Sequence, residues 1–258
     1  MIKIIFLDFD GTVYSHKSGH IPESSIEAID KLHQNGILVF LCTGRSYSEF
    51  EQFDLSRIYY DGMIMSNGQL SLDRNGNILF DHPIEGILKE KVVRMYEEMK
   101  MPISLATKDY LFFNFINQRV VEALSDVSTD IPEIRPYNNE NFHLACAFFD
   151  NNNDYEKTVD SLKDISEITT WHELAIDIVP LGMNKASGID RILKIYNLDK
   201  TQSMAFGDGN NDMDMLRHCQ IGIAMGNSVD ALKEVADYVT DDIDDDGLYN
   251  ALRHYNLI

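Results

Sequence analysis

Two aspartates stand one residue apart in Asp8-Phe9-Asp10-Gly11-Thr12, directly behind an apolar, β-branched run at residues 3–9. Alternate residues leaving a strand can present one carboxylate to an electrophile and let the next reach the leaving group. Two carboxylates this close repel each other, so in an acidic chain they call for a cation. A second acidic stretch, Gly207-Asp208-Gly209-Asn210-Asn211-Asp212, follows another apolar run at residues 203–206. Hard oxygen ligands from two neighbouring strand ends suit Mg²⁺, which is usually held by a few carboxylates together with substrate phosphate and water. Thr43-Gly44-Arg45 follows a third run at residues 37–42 and offers a hydroxyl, backbone N–H groups and a fixed positive charge. Lys185, at the start of a helical pattern behind Gly182, can supply a point charge to a phosphate.

These residues need a frame that brings strand ends together. Runs at residues 3–9 and 37–42 bracket a helix that starts near Pro22, turns Ile26, Ile29 and Leu32 inward and stops at Asn35-Gly36. A further strand at 63–66 leads into a hairpin turning at Asn75-Gly76. Near the C-terminus the alternation returns, with a helix over 185–196, a strand over 203–206, a helix over 211–217 and a strand over 221–225. Repeated units of this kind predict an α/β fold with a doubly wound, Rossmann-like parallel sheet, whose ligands bind beyond the carboxyl ends of the strands. Between the halves the pattern changes. Residues 84–180 read as helices at 92–99 and beyond, with strands at 103–106, 110–115 and 144–149, an α+β insert with an antiparallel sheet. The expected organisation is a core from 1–83 and 181–258 and an inserted α+β cap domain at 84–180.

The 258 residues carry 42 acidic and 22 basic side chains, a formal charge of −20. Such a surface argues against nucleic acid or an anionic membrane as partner. Cys42, Cys146 and Cys219 are odd in number and lie in apolar surroundings, which reads as reduced thiols of a cytoplasmic protein. The amino-terminal apolar run meets Asp8 too early for a secretory signal.

Several features imitate sites. Asp242, Asp244, Asp246 and Gly247 resemble the start of a calcium loop, but the twelfth position is Arg253 where a bidentate Glu belongs. His16 and His20 have the spacing of zinc ligands on a helix, yet Ser18-Gly19 makes the segment a loop. Phe112, Phe113 and Phe115 read as core of the insert rather than as a substrate cage.

Taken in order, Asp8 to Thr12, Thr43 to Arg45, the run around Lys185 and the run from Gly207 resemble the four motifs of the haloacid dehalogenase (HAD) superfamily of phosphohydrolases, in the Cof-type subfamily with a large α+β cap. The resemblance implies that Asp8 is the nucleophile, forming an aspartyl-phosphate, and that Asp10 protonates the leaving oxygen and then activates water. It implies Mg²⁺ held by the Asp8 carboxylate, the Asp10 backbone carbonyl and Asp208, with Asp212 assisting. Thr43, Gly44, Lys185 and Asn211 would bind the phosphate, and Arg45 is a possible substrate contact.

The expectation is a Mg²⁺-dependent phosphatase of small phosphorylated metabolites, with sugar phosphates implied by the subfamily resemblance alone. A sugar phosphomutase using the same aspartyl-phosphate is the rival among enzymes. A non-catalytic regulatory module would be expected to have lost at least one motif, and none is lost here. The residues do not specify an oligomeric state.

Overall fold

The computed structural model describes residues 1–50, 52–173 and 175–258. Its strands are β1 (Ile4–Leu7), β2 (Leu38–Cys42), β3 (Gly62–Met65), β4 (Leu70–Asp73), β5 (Ile78–Asp81), β6 (Ile103–Ala106), β7 (Leu111–Phe113), β8 (Glu133–Ile134), β9 (Leu144–Phe148), β10 (Ser166–His172), β11 (Ala175–Pro180), β12 (Ser203–Gly207), β13 (Ile221–Ala224) and β14 (Tyr238–Val239). The helices are α1 (Glu23–Gln34), α2 (Tyr47–Phe50), α3 (Gly86–Glu97), α4 (Gln118–Asp126), α5 (Asn152–Leu162), α6 (Lys185–Ile195), α7 (Met213–His218), α8 (Asp230–Lys233) and α9 (Gly247–His254).

Eight strands form one sheet in the order β14-β13-β12-β1-β2-β3-β4-β5, parallel as far as β3 and antiparallel beyond it. The alternation of a strand sends neighbouring side chains to opposite faces, and this chain makes both faces apolar. Ile5, Leu7, Val39 and Leu41 pack with Ala28, Ile29 and Leu32 of α1 and Leu248, Ala251 and Leu252 of α9. Ile4, Phe6, Phe40 and Cys42 pack with Ile189, Ile192 and Leu193 of α6 and Met215 and Leu216 of α7 on the other side. The sheet is therefore doubly wound. β1 sits between β12 and β2, so chain connections depart from it in both directions and the carboxyl ends of these three strands open one crevice.

The inserted segment builds the second sheet, ordered β10-β11-β9-β6-β7-β8 and antiparallel except for the β7–β8 pair. Leu88, Val92 and Tyr96 of α3 and Leu162 of α5 cover one face, with Phe112 among them. The other face carries Phe113, Cys146, Phe148 and Trp171, packed with Val120, Ala123 and Leu124 of α4. That second face looks onto the crevice of the core sheet and makes the insert a cap.

Local chemistry moves some expected boundaries. Pro22 precedes α1 instead of opening it, its carbonyl accepting from the N–H groups of Ser25 and Ile26. The expected helix from Asn211 begins at Met213, behind a 3₁₀ turn over Asn210–Asp212. Asp212 Oδ2 accepts from the backbone N–H groups of Asp208 and Gly209, which tightens that turn. The Asn75-Gly76 turn joins β4 to β5, with Gly76 at φ 79°. The acidic run near the C-terminus serves structure: Asp242 caps a short 3₁₀ turn and Asp244 accepts from Ser15 Oγ.

Candidate active site

Asp8 is the first residue beyond β1, and its N–H donates to Phe206 O of β12, which fixes where the carboxylate emerges. The side chain is buried, and its Oδ1 accepts from Lys185 Nζ at 2.5 Å. Lys185 opens α6, placed by a reciprocal cap in which Asn184 Oδ1 accepts from Ser187 N and Ser187 Oγ accepts from Asn184 N. Its ammonium is fully buried and also donates to Asp212 Oδ1 at 2.6 Å. One lysine thus links the end of β1 to the turn after β12.

Asp208 leaves β12 on the other side of Asp8. Thr12 Oγ1 reaches Asp208 Oδ1 at 3.4 Å. Gly11, at φ 73°, turns the loop back toward Asp208, and a Cβ at Gly11 would collide with the Asp208 carboxylate. Only glycine satisfies both demands. Asn227 Nδ2 donates to Gly11 O at 2.8 Å, anchoring the loop from the far side. One carboxylate oxygen from each of Asp8, Asp208 and Asp212 lies within 4.8 Å of the others.

Burial and the Asp212 charge push the Asp8 carboxyl well up, against the pull of Lys185. Burial and Asp212 likewise raise Asp208 to about 7. Burial works against the Lys185 ammonium, yet Asp212 and Asp8 hold it above its ordinary value. Three carboxylates and one ammonium leave negative charge in a buried place, and all-oxygen donors of that kind fit a hard divalent cation.

Asp10 stands apart from this group. Arg45 Nε donates to its Oδ2 and Arg45 Nη2 to its Oδ1, both at 2.7 Å. His16 Nε2 lies 2.8 Å from the same Oδ1. Burial alone would raise the Asp10 carboxyl, but the Arg45 charge and the His16 contact outweigh it and hold Asp10 at about 2. The guanidinium also donates to Thr129 Oγ1 at 2.7 Å and Val127 O at 2.5 Å, both in the cap. Arg45 is committed to Asp10 and to the cap, so the structure gives it a bridging position.

Thr43 is buried at the end of β2, its Oγ1 accepting from Arg45 N at 3.1 Å, and Gly44 beside it faces the side chains of Asn67 and Asn211. Asn211 Nδ2 donates to Asn67 Oδ1 at 3.3 Å, and Asn67 Nδ2 donates to Asp177 Oδ2 of the cap at 2.8 Å. Burial, opposed by the Asn67 hydrogen bond, raises the Asp177 carboxyl to about 7.

Asp8, Asp10, Thr43, Gly44, Arg45, Asp208 and Asn211 line one cavity of about 400 Å³ beneath the cap, while Lys185 and Asp212 lie behind its wall. His16, Asn67, Asp177 and Asn227 join this site without having been singled out as its members from the sequence. Asn67 carried one sequence signal, a Ser-Asn-Gly turn directly behind an apolar run. His16 had been weighed only as a metal ligand. Phe112 and Phe113 are both buried cap core, as expected, and Phe113 backs the cavity wall because β7 turns the two rings to opposite faces.

A carboxylate braced by a buried ammonium, an acidic cation site beside it and a second carboxylate at the cavity mouth can support phosphoryl transfer, in which protein groups chiefly position and neutralise charge. The comparisons agree. The family profile of the haloacid dehalogenase-like hydrolases matches residues 5–252. YkrA of Bacillus subtilis is 30% identical over 257 residues, 99% of this chain and 98% of that protein. The solved structure of BT1666 from Bacteroides thetaiotaomicron, a HAD phosphatase, superposes with a TM-score of 0.88 at 32% identity, covering 100% of this chain and 96% of that one. The HAD subclass IIB sugar phosphatase BT4131 gives 0.87 at 28% identity, covering 99% of this chain and 100% of that one. This chain belongs to the haloacid dehalogenase-like hydrolase family and is a phosphatase.

Proposed function

We propose that the protein hydrolyses small phosphorylated metabolites, sugar phosphates among them, in two steps through Asp8. The carrying observation is the Asp8–Lys185–Asp212 chain beside Asp208 at the mouth of β1 and β12. Asp8 attacks phosphorus, the bond from phosphorus to the leaving oxygen breaks, and the phosphoryl group passes to the carboxylate. Water then releases inorganic phosphate. A carboxylate nucleophile divides one hard displacement into two easier ones.

Asp8, Asp208, Asp212 and the Asp10 carbonyl would hold Mg²⁺, which when bound neutralises charge on the transferring phosphoryl oxygens. Thr43, Gly44, Asn211 and Lys185 bind and neutralise the phosphate. Asp10, held ionised by Arg45, suits the general base that takes a proton from water in the second step. The family resemblance gives it the acid role in the first step as well, and His16 Nε2, 2.8 Å from Oδ1, helps to hold the carboxyl in place. Residues 1–83 and 181–258 carry this chemistry, and the cap at 84–180 carries substrate choice. The three buried free thiols support a cytoplasmic setting, and among the described residues no helix is long and apolar enough to cross a membrane.

The test is release of inorganic phosphate from a panel of phosphate monoesters, with Mg²⁺ and again with excess chelator. Turnover with Mg²⁺ and loss with chelator are expected. Full activity in chelator would remove the metal, and silence across the panel would remove the hydrolytic reading.

A further inference from the structure

Asn67 sits on backbone that side-chain-bearing residues rarely adopt. Ser66, Asn67 and Gly68 follow β3 at φ 49°, 51° and 96°, all on the left-handed side. Glycine is the residue this region favours, and two other residues there in succession are uncommon. Such backbone persists where its surroundings hold it, and it gathers at functional sites. Here the hold comes from the loop after β2: Ser66 N donates to Arg45 O at 2.9 Å and Asn67 N to Thr43 O at 3.2 Å. On the other side, a Cβ at Gly68 would collide with Asn184 O, so the turn is wedged between that loop and the start of α6.

The contacts of the Asn67 side chain give this backbone a purpose. Its amide is buried, with Asp177 of β11 on one side and Asn211 on the other. An ionised carboxylate only accepts, so Asp177 Oδ2 requires the NH₂ group of Asn67 and receives it at 2.8 Å. The Asn67 oxygen is thereby turned to Asn211 and requires an NH₂ group in its turn, met by Asn211 Nδ2 at 3.3 Å. An NH₂ group has two hydrogens, and the second is left for a ligand. Asn211 Nδ2 lies 3.5 Å from the place a Cβ on Gly44 would take, beside the loop that offers donors to phosphoryl oxygens. An acceptor in the cap therefore sets, through two amides in series, which end of Asn211 is shown to the phosphate pocket.

We propose that Asn67 is a positioning residue that couples the cap to the phosphate pocket. With Asp177 docked on it, it holds Asn211 as a donor toward the phosphoryl oxygens; without Asp177, both amides are free to turn over. Phosphate binding and cap docking then favour each other. This rests on the reading of Asn211 as a phosphate contact and adds what sets its orientation.

The test is calorimetric titration of the full chain with inorganic phosphate, Mg²⁺ present, at a pH above the value of about 7 to which burial raises Asp177. Asn67→Gly suits the left-handed backbone and removes the relay, so phosphate should bind about tenfold more weakly, the effect of one hydrogen bond. Asp177→Ala should weaken it by a similar factor. Charge alone predicts the opposite sign, because loss of a carboxylate from the cavity favours an anion. Asp177→Asn keeps an acceptor for Asn67 and should stay near the parent. In the Asn67→Gly background Asp177→Ala should bring no further loss, since the two residues act through one chain of contacts. Thermal melts establish that each variant is folded. Phosphate bound as tightly as by the parent in either Asp177→Ala or Asn67→Gly would overturn the coupling alone. A parent protein that binds no phosphate would overturn the phosphate-pocket reading, and this proposal with it.

Discussion

Arg45 holds Asp10 with a two-pronged fork, Nε to Oδ2 and Nη2 to Oδ1 at 2.7 Å each, while Nη1 of the same guanidinium grips Thr129 Oγ1 of the cap at 2.7 Å. The Asp10 carboxylate is therefore tied to the position of the cap. Closure of a cover sequesters such sites from water and completes their constellation, and here one side chain touches both cover and carboxylate.

Thr129→Val removes one of the two cap contacts of this bridge and leaves Val127 O and the grip on Asp10 in place. A hydrogen bond to a charged group contributes about 1.5–3 kcal/mol, so KM for a bulky ester should rise about tenfold or more. Thr129→Ser should restore it. Arg45→Lys should not substitute for arginine, because an ammonium cannot reproduce the planar fork. Steady-state kinetics on the three variants check this, and an unchanged KM in Thr129→Val would separate the bridge from closure.

Asp8→Asn keeps the size of the side chain but offers neither a carboxylate nucleophile nor an anionic ligand. Turnover should fall below about one thousandth of the parent rate. The fold should survive, since Lys185 keeps Asp212 as its partner. Phosphate release and a thermal melt on the same preparation test both halves, and substantial residual hydrolysis would unseat Asp8.

Asp10→Asn should discriminate by leaving group. Sugar alkoxides need protonation and a phenolate does not, so loss on a sugar phosphate should exceed loss on a nitrophenyl ester by about a hundredfold. Equal losses would leave Asp10 a positioning role only.

Asp177 gives a pH signature. Its carboxyl has an ordinary value of 3.8 and is raised to about 7 in the fold, so the folded state holds the proton more tightly. Its contribution to stability is full below 3.8 and is lost as pH climbs to about 7. Asp177→Asn removes this loss, because an amide oxygen can still accept from Asn67. The stability gap between variant and parent should widen across that window and level off above it, reaching at most about 4 kcal/mol. Denaturant melts across the pH range measure the gap, and a constant gap would refute the assignment.

The amino-acid sequence by itself determined the fold class and the candidate site residues. Both are local: apolar runs of β-branched residues make buried parallel strands, and the turns behind them carry Asp8, Asp10, Thr43 and Asp208 to one edge whatever the helices do. The buried position of Lys185, between Asp8 and Asp212, required the packing of α6 against the sheet. His16 lies six residues from Asp10, yet loop residues have no period, so their meeting at 2.8 Å is settled only by the path of the folded chain. Asn67 and Asp177 are 110 residues apart and meet because the insert folds back over the core. Phe112 and Phe113 make the point most simply. Alternation says that they face opposite ways, but which one meets the active site depends on which side of the cap sheet is turned to the core, and that is a property of tertiary packing.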